Sequence, residues 1–323
     1  MQLGLVDKGW VALRLGRLEL AFGDERLIGS AYWANTARTF DAAKLTLRHN
    51  WGKRNLHADI FASSVVVLHD GQLGEVQAGS NLHGINAAID KVVTGANLEL
   101  FSYWRLAPRL KNESGIVANL NETTSGFRFI GKAKGAGYSA RVALQKGSLG
   151  SDQVRAWAGH WLASYGFAKV KWTPLVTAEY NYASGDANPK DGVRGTFDQL
   201  YPSGHDKSGL TDQVGLKNIR QVRIGVDIKP AKMWSAGVKF HWFWLANAHD
   251  ALYSSTSAFV AQRADGSAGT FVGQELDATA GYALSRTLQV GAGVGHLFPG
   301  GFLKRTTPGK AFTYPYLMLT YGF

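Results

Sequence analysis

The final stretch of the chain, Phe312 to Phe323, reads Phe-Thr-Tyr-Pro-Tyr-Leu-Met-Leu-Thr-Tyr-Gly-Phe. From Leu317 onward it alternates: Leu317, Leu319, Tyr321 and Phe323 share one face, and Tyr316, Met318, Thr320 and Gly322 the other. A period of two is that of a β-strand. A terminal strand with no polar tail is an open edge that invites pairing with other chains unless the sheet closes on itself. The stretch therefore favours a closed sheet.

The same period recurs in short pieces along the 323-residue chain. Strands are predicted at Val11–Leu20, Thr39–His49, Leu56–Leu68, Ala96–Leu106, Thr123–Lys132, Gly137–Lys146, Gln153–Ala163 and Trp172–Ala183. Four more follow at Asn218–Ile228, Met233–Leu245, Gln274–Leu284 and Thr287–Leu297, before the closing strand. Worked back from the C-terminus, tight and long connections alternate until the region before Ala96, where the order fails by one strand. The faint segment Asn81–Ile89 restores it and brings the count to 14. Gly16 is expected to carry a bulge, because the apolar phase slips from Val11, Leu13 and Leu15 to Leu18 and Leu20. Asp24–Ala37 and Asp70–Ser80 are expected as polar connections.

No run of about 18 uncharged apolar residues occurs, so no helix is expected to span a membrane. Strands of about 10 residues joined by short and long loops in turn fit a tilted crossing as a barrel instead. Trp157 and Trp161, Tyr180 and Tyr182, and Trp242, Phe243 and Trp244 crowd toward strand ends, as interfacial girdles do. The core of a soluble sandwich gives aromatics no reason to gather there. The fold class expected is all-β, a transmembrane antiparallel up-and-down β-barrel forming a single domain over residues 1–323. Its closing strand resembles the C-terminal signal strand of bacterial outer-membrane barrels, whose alternating row ends on Phe.

Cysteine is absent, which excludes thiol chemistry and a disulfide scaffold and suits a chain that crosses an oxidising periplasm. Met1 to Trp10 show neither the basic n-region nor the apolar core of a signal peptide; either the signal was removed or the front of the protein is missing. Lys and Arg outnumber Asp and Glu by 35 to 24, for a net charge of +11, so a nucleic-acid binder has to be weighed. Strand phase accounts for the charge without one. With the apolar phase outward, Arg48, Arg128, Arg141, Arg223 and Lys239 all fall inward, since Arg or Lys facing lipid costs about 2–4 kcal/mol at the midplane. Asp59, Glu99, Glu179, Asp227 and Asp277 share that phase, so a mixed, net basic lining is expected. Guanidinium pairs bidentately with carboxylate, which suits a carboxylated solute better than chloride.

From Gly16 the chain reads Gly-Arg-Leu-Glu-Leu-Ala-Phe-Gly-Asp-Glu-Arg-Leu-Ile-Gly, and from Trp33 to Asp41 Trp-Ala-Asn-Thr-Ala-Arg-Thr-Phe-Asp. Tyr182 to His205 then runs through Tyr-Ala-Ser-Gly-Asp, Arg-Gly-Thr-Phe-Asp and Leu-Tyr-Pro-Ser-Gly-His. These motifs, in this order, resemble the alginate export family of outer-membrane barrels, from about Gly16 to the terminus. The resemblance implies an 18-stranded barrel in the bacterial outer membrane, with an electropositive pore that passes the anionic polysaccharide alginate in its founding member. Against that pattern, 14 strands would leave the first strands and the signal peptide missing. Carried onto the family motifs, Arg17 and Arg38 are expected at the constriction, with Glu19 and Asp41 as their partners.

Two other chemistries were weighed. Asp186, Asn188 and Asp191 before Gly192 form an oxygen-rich loop that could hold calcium, but Lys190 occupies a ligand position of the EF-hand template, so a plain loop is preferred and no metal is expected. Ser203, His205 and Asp206 could be called a hydrolytic cluster, yet adjacency in sequence does not give triad geometry. The function expected is a non-enzymatic pore without cofactor, passing an anionic saccharide or polyuronate through an arginine-lined lumen. Outer-membrane lipid and periplasmic export components are its expected partners, and no nucleic acid is. The alternatives are a general or uptake porin for small anionic solutes, and a barrel enzyme.

Overall fold

Alternation in the sequence becomes strand in the structure almost everywhere. The computed structural model describes residues 2–7, 9–34, 36–67 and 74–322, with no side-chain description before Gly9. In the first half the strands are β1 (Gln2–Asp7), β2 (Val11–Leu18), β3 (Phe40–Trp51), β4 (Arg54–Val67), β5 (Glu75–Val93), β6 (Ala96–Lys111), β7 (Val117–Ala133), β8 (Ala136–Leu149) and β9 (Asp152–Gly166). Then come β10 (Leu175–Ala183), β11 (Val193–Arg194), β12 (Ile219–Ala231), β13 (Trp234–Leu245), β14 (Leu252–Tyr253), β15 (Phe259–Ala261), β16 (Phe271–Ala283), β17 (Leu288–Pro299), the short helix α1 (Gly301–Thr306) and β18 (Phe312–Tyr321). The main sheet follows chain order through β10, then β12, β13, β16, β17 and β18; β11 pairs parallel with β9, and β14 pairs with β15.

All 14 predicted strands are present, including the faint one, which is the middle of the 19-residue β5. The count is corrected upward: among the described residues the main sheet has 16 strands. One addition is the two-residue β11. The other is β1, where Leu3 and Leu5 alternate over a stretch too short to carry a strong strand signal. Residues 75–80 are strand rather than polar connection, and β10 begins only at Leu175, because Trp172 and Thr173 take left-handed backbone (φ 68° and 45°). The bulge expected at Gly16 is also corrected. The β2–β3 register runs unbroken from Val11↔Leu47 to Leu18↔Phe40, and the slip lies opposite, in β1 between Gly4 and Val6. Phe323, Leu68 and Asp70 lie outside the described residues.

Burial follows strand parity in the sense opposite to a soluble sheet. In β12, Gln221 and Arg223 are buried, whereas Val222, Ile224 and Val226 are 37%, 48% and 41% exposed. The same holds for Glu275 and Asp277 against Leu276 in β16, and for His160 against Trp161 in β9. Apolar side chains outward and polar ones inward is the pattern of a sheet whose outer solvent is lipid. Among the described residues no helix is long and apolar enough to cross a membrane.

The chain divides into two compact units. One comprises Met1–Gly131, Arg141–Ala158 and Asn188–Ser203; the other comprises Lys132–Ala140, Gly159–Ala187 and Gly204–Phe323.

Candidate functional site

In the first unit two stretches of connecting chain are zipped together. Tyr201 N–H donates to the Leu27 carbonyl (2.8 Å), Gly29 N–H to Tyr201 (2.9 Å) and Ser203 N–H to Glu25 (2.9 Å), with a parallel bridge between Ile28 and Tyr201. Phe197, Leu200, Leu27 and Ile28 are buried beneath this pairing. Arg38 clamps it: its Nη1 donates to the carbonyls of Gly29 (3.2 Å), Tyr201 (2.6 Å) and Pro202 (2.8 Å), and its guanidinium lies 5.9 Å from the Tyr201 ring centroid. Burial pulls the Arg38 pKa below its ordinary value, opposed by Tyr201.

Asp198 fastens the 195–203 stretch to the wall. Its N–H donates to Gln145 Oε1 (2.7 Å), its carbonyl accepts from Gln145 Nε2 (2.6 Å), and its carboxylate accepts from Leu200 N–H (2.7 Å) and pairs with Arg105. Arg105 in turn lies 3.8 Å from Glu122 and 5.5 Å from the Tyr201 ring centroid.

The other stretch, between β2 and β3, meets a guanidinium cluster. Phe22 stacks on Phe61 and Tyr103 (centroids 5.3 and 5.9 Å apart) and sets the chain against the wall. Asp24 then reaches Arg141 Nη2 at 2.6 Å and Arg26 Nε at 3.3 Å. Beside it Arg128, directly across the ladder from Glu99, pairs with it bidentately (Nε–Oε2 2.9 Å, Nη2–Oε1 2.5 Å). Gly23, at φ +63°, sits among these groups: a Cβ there would come within 2.7 Å of Arg141 Nη2 and 2.9 Å of Glu99 Oε2. Three buried or nearly buried guanidiniums thus face two carboxylates. Arg141, 6% exposed, keeps Nε and Nη1 without a hydrogen-bond partner among the described residues.

In the second unit the chain after Gly204 is held against inward-phase residues. Lys239 reaches Asp206 at 2.5 Å, and Arg223 donates to the Asp206 carbonyl (2.8 Å) while pairing with Glu179 directly across the ladder. Leu210 N–H donates to Asp277 (3.2 Å), and Thr211 donates to Glu275 through N–H (2.8 Å) and Oγ1 (2.6 Å). His160, Asn181, Gln221 and His241 form a buried polar row behind them, closed by His241 Nε2 at 3.0 Å from Asp277. Burial acts to raise the Asp206 pKa, but Lys239 and Arg223 outweigh it and hold the carboxyl below its ordinary value. Its anchorage is therefore present above the unfolded carboxyl pKa of about 3.9 and lost as pH falls through the lower folded value. Proteolysis of the 204–217 stretch is expected to stay flat from neutral pH down to about 4 and to rise below that. A Lys239→Met variant should show the rise at higher pH, and an identical profile would exclude this anchor.

The predicted site residues thus separate by location. Arg128 and Arg141 share the cluster, and Arg223 and Lys239 secure the chain near Asp206. Arg38 clamps two stretches through carbonyls, and Glu19 accepts from the Tyr32 hydroxyl. Arg17 and Asp41 do pair (2.8 and 3.0 Å), but on the strand face that carries Leu13, Leu15, Leu45 and Leu47. Arg48 is exposed at the turn end of β3, near the Gly9 carbonyl (3.4 Å). Among the described residues no group of three or more His, Asp or Glu side chains could hold a metal; the Asp191 carboxylate accepts from Val193 N–H and the Asp186 N–H donates to Asp250. His205 pairs with Asp212 (2.9 Å), while its neighbour Asp206 goes to Lys239, so the two do not act together. Arg105, Glu122, Gln221 and His241 are not among the predicted site residues, yet they share parity with Glu99, Arg128, Arg223 and Lys239, and strand phase alone places them. Asp24, Arg26 and Asp198 sit outside any strand and leave no periodic signal.

The fold recurs in solved outer-membrane proteins at low identity. OccK11 (OpdR) of Pseudomonas aeruginosa is 10% identical, with 97% of this chain and 77% of that one covered at a TM-score of 0.60. OccK3 (OpdO) of the same species is 13% identical, covering 97% and 76% at 0.59, and OccAB1 of Acinetobacter baumannii is 11% identical, covering 96% and 73% at 0.54. No curated protein matches the sequence. The sequence profile of the family described as alginate export matches residues 3–314, nearly the whole chain. The chain belongs to the alginate export family, and is a β-barrel transport channel of the bacterial outer membrane rather than an enzyme.

Proposed function

We propose that the channel passes an anionic polysaccharide of the alginate-like polyuronate class passively through a lumen lined in part by arginine. The observation that carries this reading is the cluster of Arg26, Arg128 and Arg141, where three guanidiniums face two carboxylates and leave a net positive charge. Guanidinium pairs bidentately with carboxylate, as Arg128 does with Glu99, so the cluster's chemistry suits a uronate better than a simple halide. The resident acids matter equally, because a site that binds a polyanion too tightly does not release it. Two unit charges about 7 Å apart in water attract by only roughly 0.6 kcal/mol, so selection has to come from several such groups in succession.

In planar bilayers, oligouronates are expected to block the current at concentrations where neutral oligosaccharides of equal length do not. Arg141→Gln should raise the blocking concentration about tenfold, because it leaves two guanidiniums against two carboxylates and removes the cluster's net positive charge. Equal block by charged and neutral sugars would remove the polyuronate reading and leave a general porin.

A further inference from the structure

The short connections of the second unit carry a concentration of positive charge that the pore does not use. Lys134 lies between β7 and β8, Lys169 and Lys171 between β9 and β10, Lys229 and Lys232 at the β12–β13 turn, and Arg286 between β16 and β17, and all six are exposed. Backbone hydrogen bonds join these turns into one edge: Gly166 N–H to Gly135 (3.0 Å), Lys229 N–H to Trp172 (2.8 Å) and Ala283 N–H to Met233 (2.9 Å). Along residues 132–140, 163–176, 227–235 and 281–290 the only acid is Asp227, so the edge keeps a strong excess of positive charge.

Next to the edge, on the outward phase, lies a groove of about 470 Å³ whose lining includes Tyr138, Trp161, Tyr180, Val222 and Ile224. Trp161 and Tyr180 stack at 5.8 Å to form its wall. Tyr138 is four residues along the chain from Lys134, which sits in the turn that leads into β8. Lys171 lies 5.3 Å from the centroid of Trp172, itself 47% exposed. Lysines with apolar stems and charged heads beside Trp and Tyr rings are groups that settle at a lipid headgroup boundary. Short turns of bacterial barrels face the periplasm.

We propose that this edge and groove form a binding site for an anionic phospholipid of the periplasmic leaflet, with its acyl chains in the groove and its phosphate at Lys134, Lys169 and Lys171. A soluble polyanion would use the cations and leave the apolar groove without purpose. A zwitterionic lipid would use the groove and leave six cations without one.

The full chain, purified from a mixture of phosphatidylethanolamine, phosphatidylglycerol and cardiolipin, is expected by native mass spectrometry to retain the two anionic lipids preferentially. Lys134→Glu/Lys169→Glu/Lys171→Glu should lower that retention at least about tenfold, because each cation at a membrane surface adds to the attraction. Ala178→Trp, which fills the groove, should lower it with the charges intact. Lys304→Glu/Lys310→Glu, in the long connection before β18, should leave it unchanged, and unaltered single-channel conductance in each variant reports an intact barrel. Equal retention of neutral and anionic lipids, or no loss in the triple variant, would each overturn the proposal.

Discussion

Replacing Asp198 by alanine is expected to at least double the single-channel conductance and to make the open current noisy. The carboxylate is the acceptor for both Arg105 and the Leu200 N–H. Without it a nearly buried guanidinium faces the sheet with Glu122, 3.8 Å away, as its carboxylate neighbour among the described residues. Breaking a buried pair on one side costs about 3–5 kcal/mol, more than the two remaining bonds to Gln145 return at about 1 kcal/mol each. The 195–203 stretch should then leave the wall, and with it the strands of bonding that hold residues 25–29. Limited proteolysis separates this from a simple change of charge: new cleavage at residues 195–203 is expected in Asp198→Ala, and less in Asp198→Asn, which keeps an acceptor for Leu200. A conductance equal to wild type with the stretch still protected would show that Asp198 does not set the opening.

The second large effect is electrostatic. Arg128→Gln/Arg141→Gln turns a cluster of three guanidiniums and two carboxylates into one of Arg26 against Asp24 and Glu99. The local balance changes sign. Because Arg128 lies directly across from Glu99 and Arg141 on Asp24, the two acids lose their closest partners at the same time. The zero-current potential in a salt gradient is expected to shift from anion preference through zero toward cation preference, and the shift should shrink at high ionic strength as the Debye length falls to about 3 Å at 1 M. Arg17→Gln, on the opposite strand face, should move it little. An unchanged potential in the double variant would place selectivity elsewhere.

Much of this site was open to a parity argument. Register puts Glu99 opposite Arg128 and Glu179 opposite Arg223, and both pairs follow from knowing which residues alternate inward. That same logic assigns Arg105 and His241. It failed for Arg17, which was placed by motif rather than by phase: Leu13 and Leu15 share its parity, and with them it faces away from Phe40 and Ala42, which are buried. It failed for β1 because a short strand beside an unread edge leaves only two alternating leucines as its signal.

The strand architecture, the outward apolar row and the inward polar one were determined by the sequence itself, because the backbone of a strand fixes side-chain direction residue by residue. The connections obey no such rule. Where Asp24, Arg38 and Asp198 go depends on which carbonyls, rings and guanidiniums the finished wall presents to them, contacts made between residues as far apart in the chain as Arg38 and Tyr201. Periodicity is local and can be read from one dimension; the closing of a loop over charged groups is decided only when the strands around it have met.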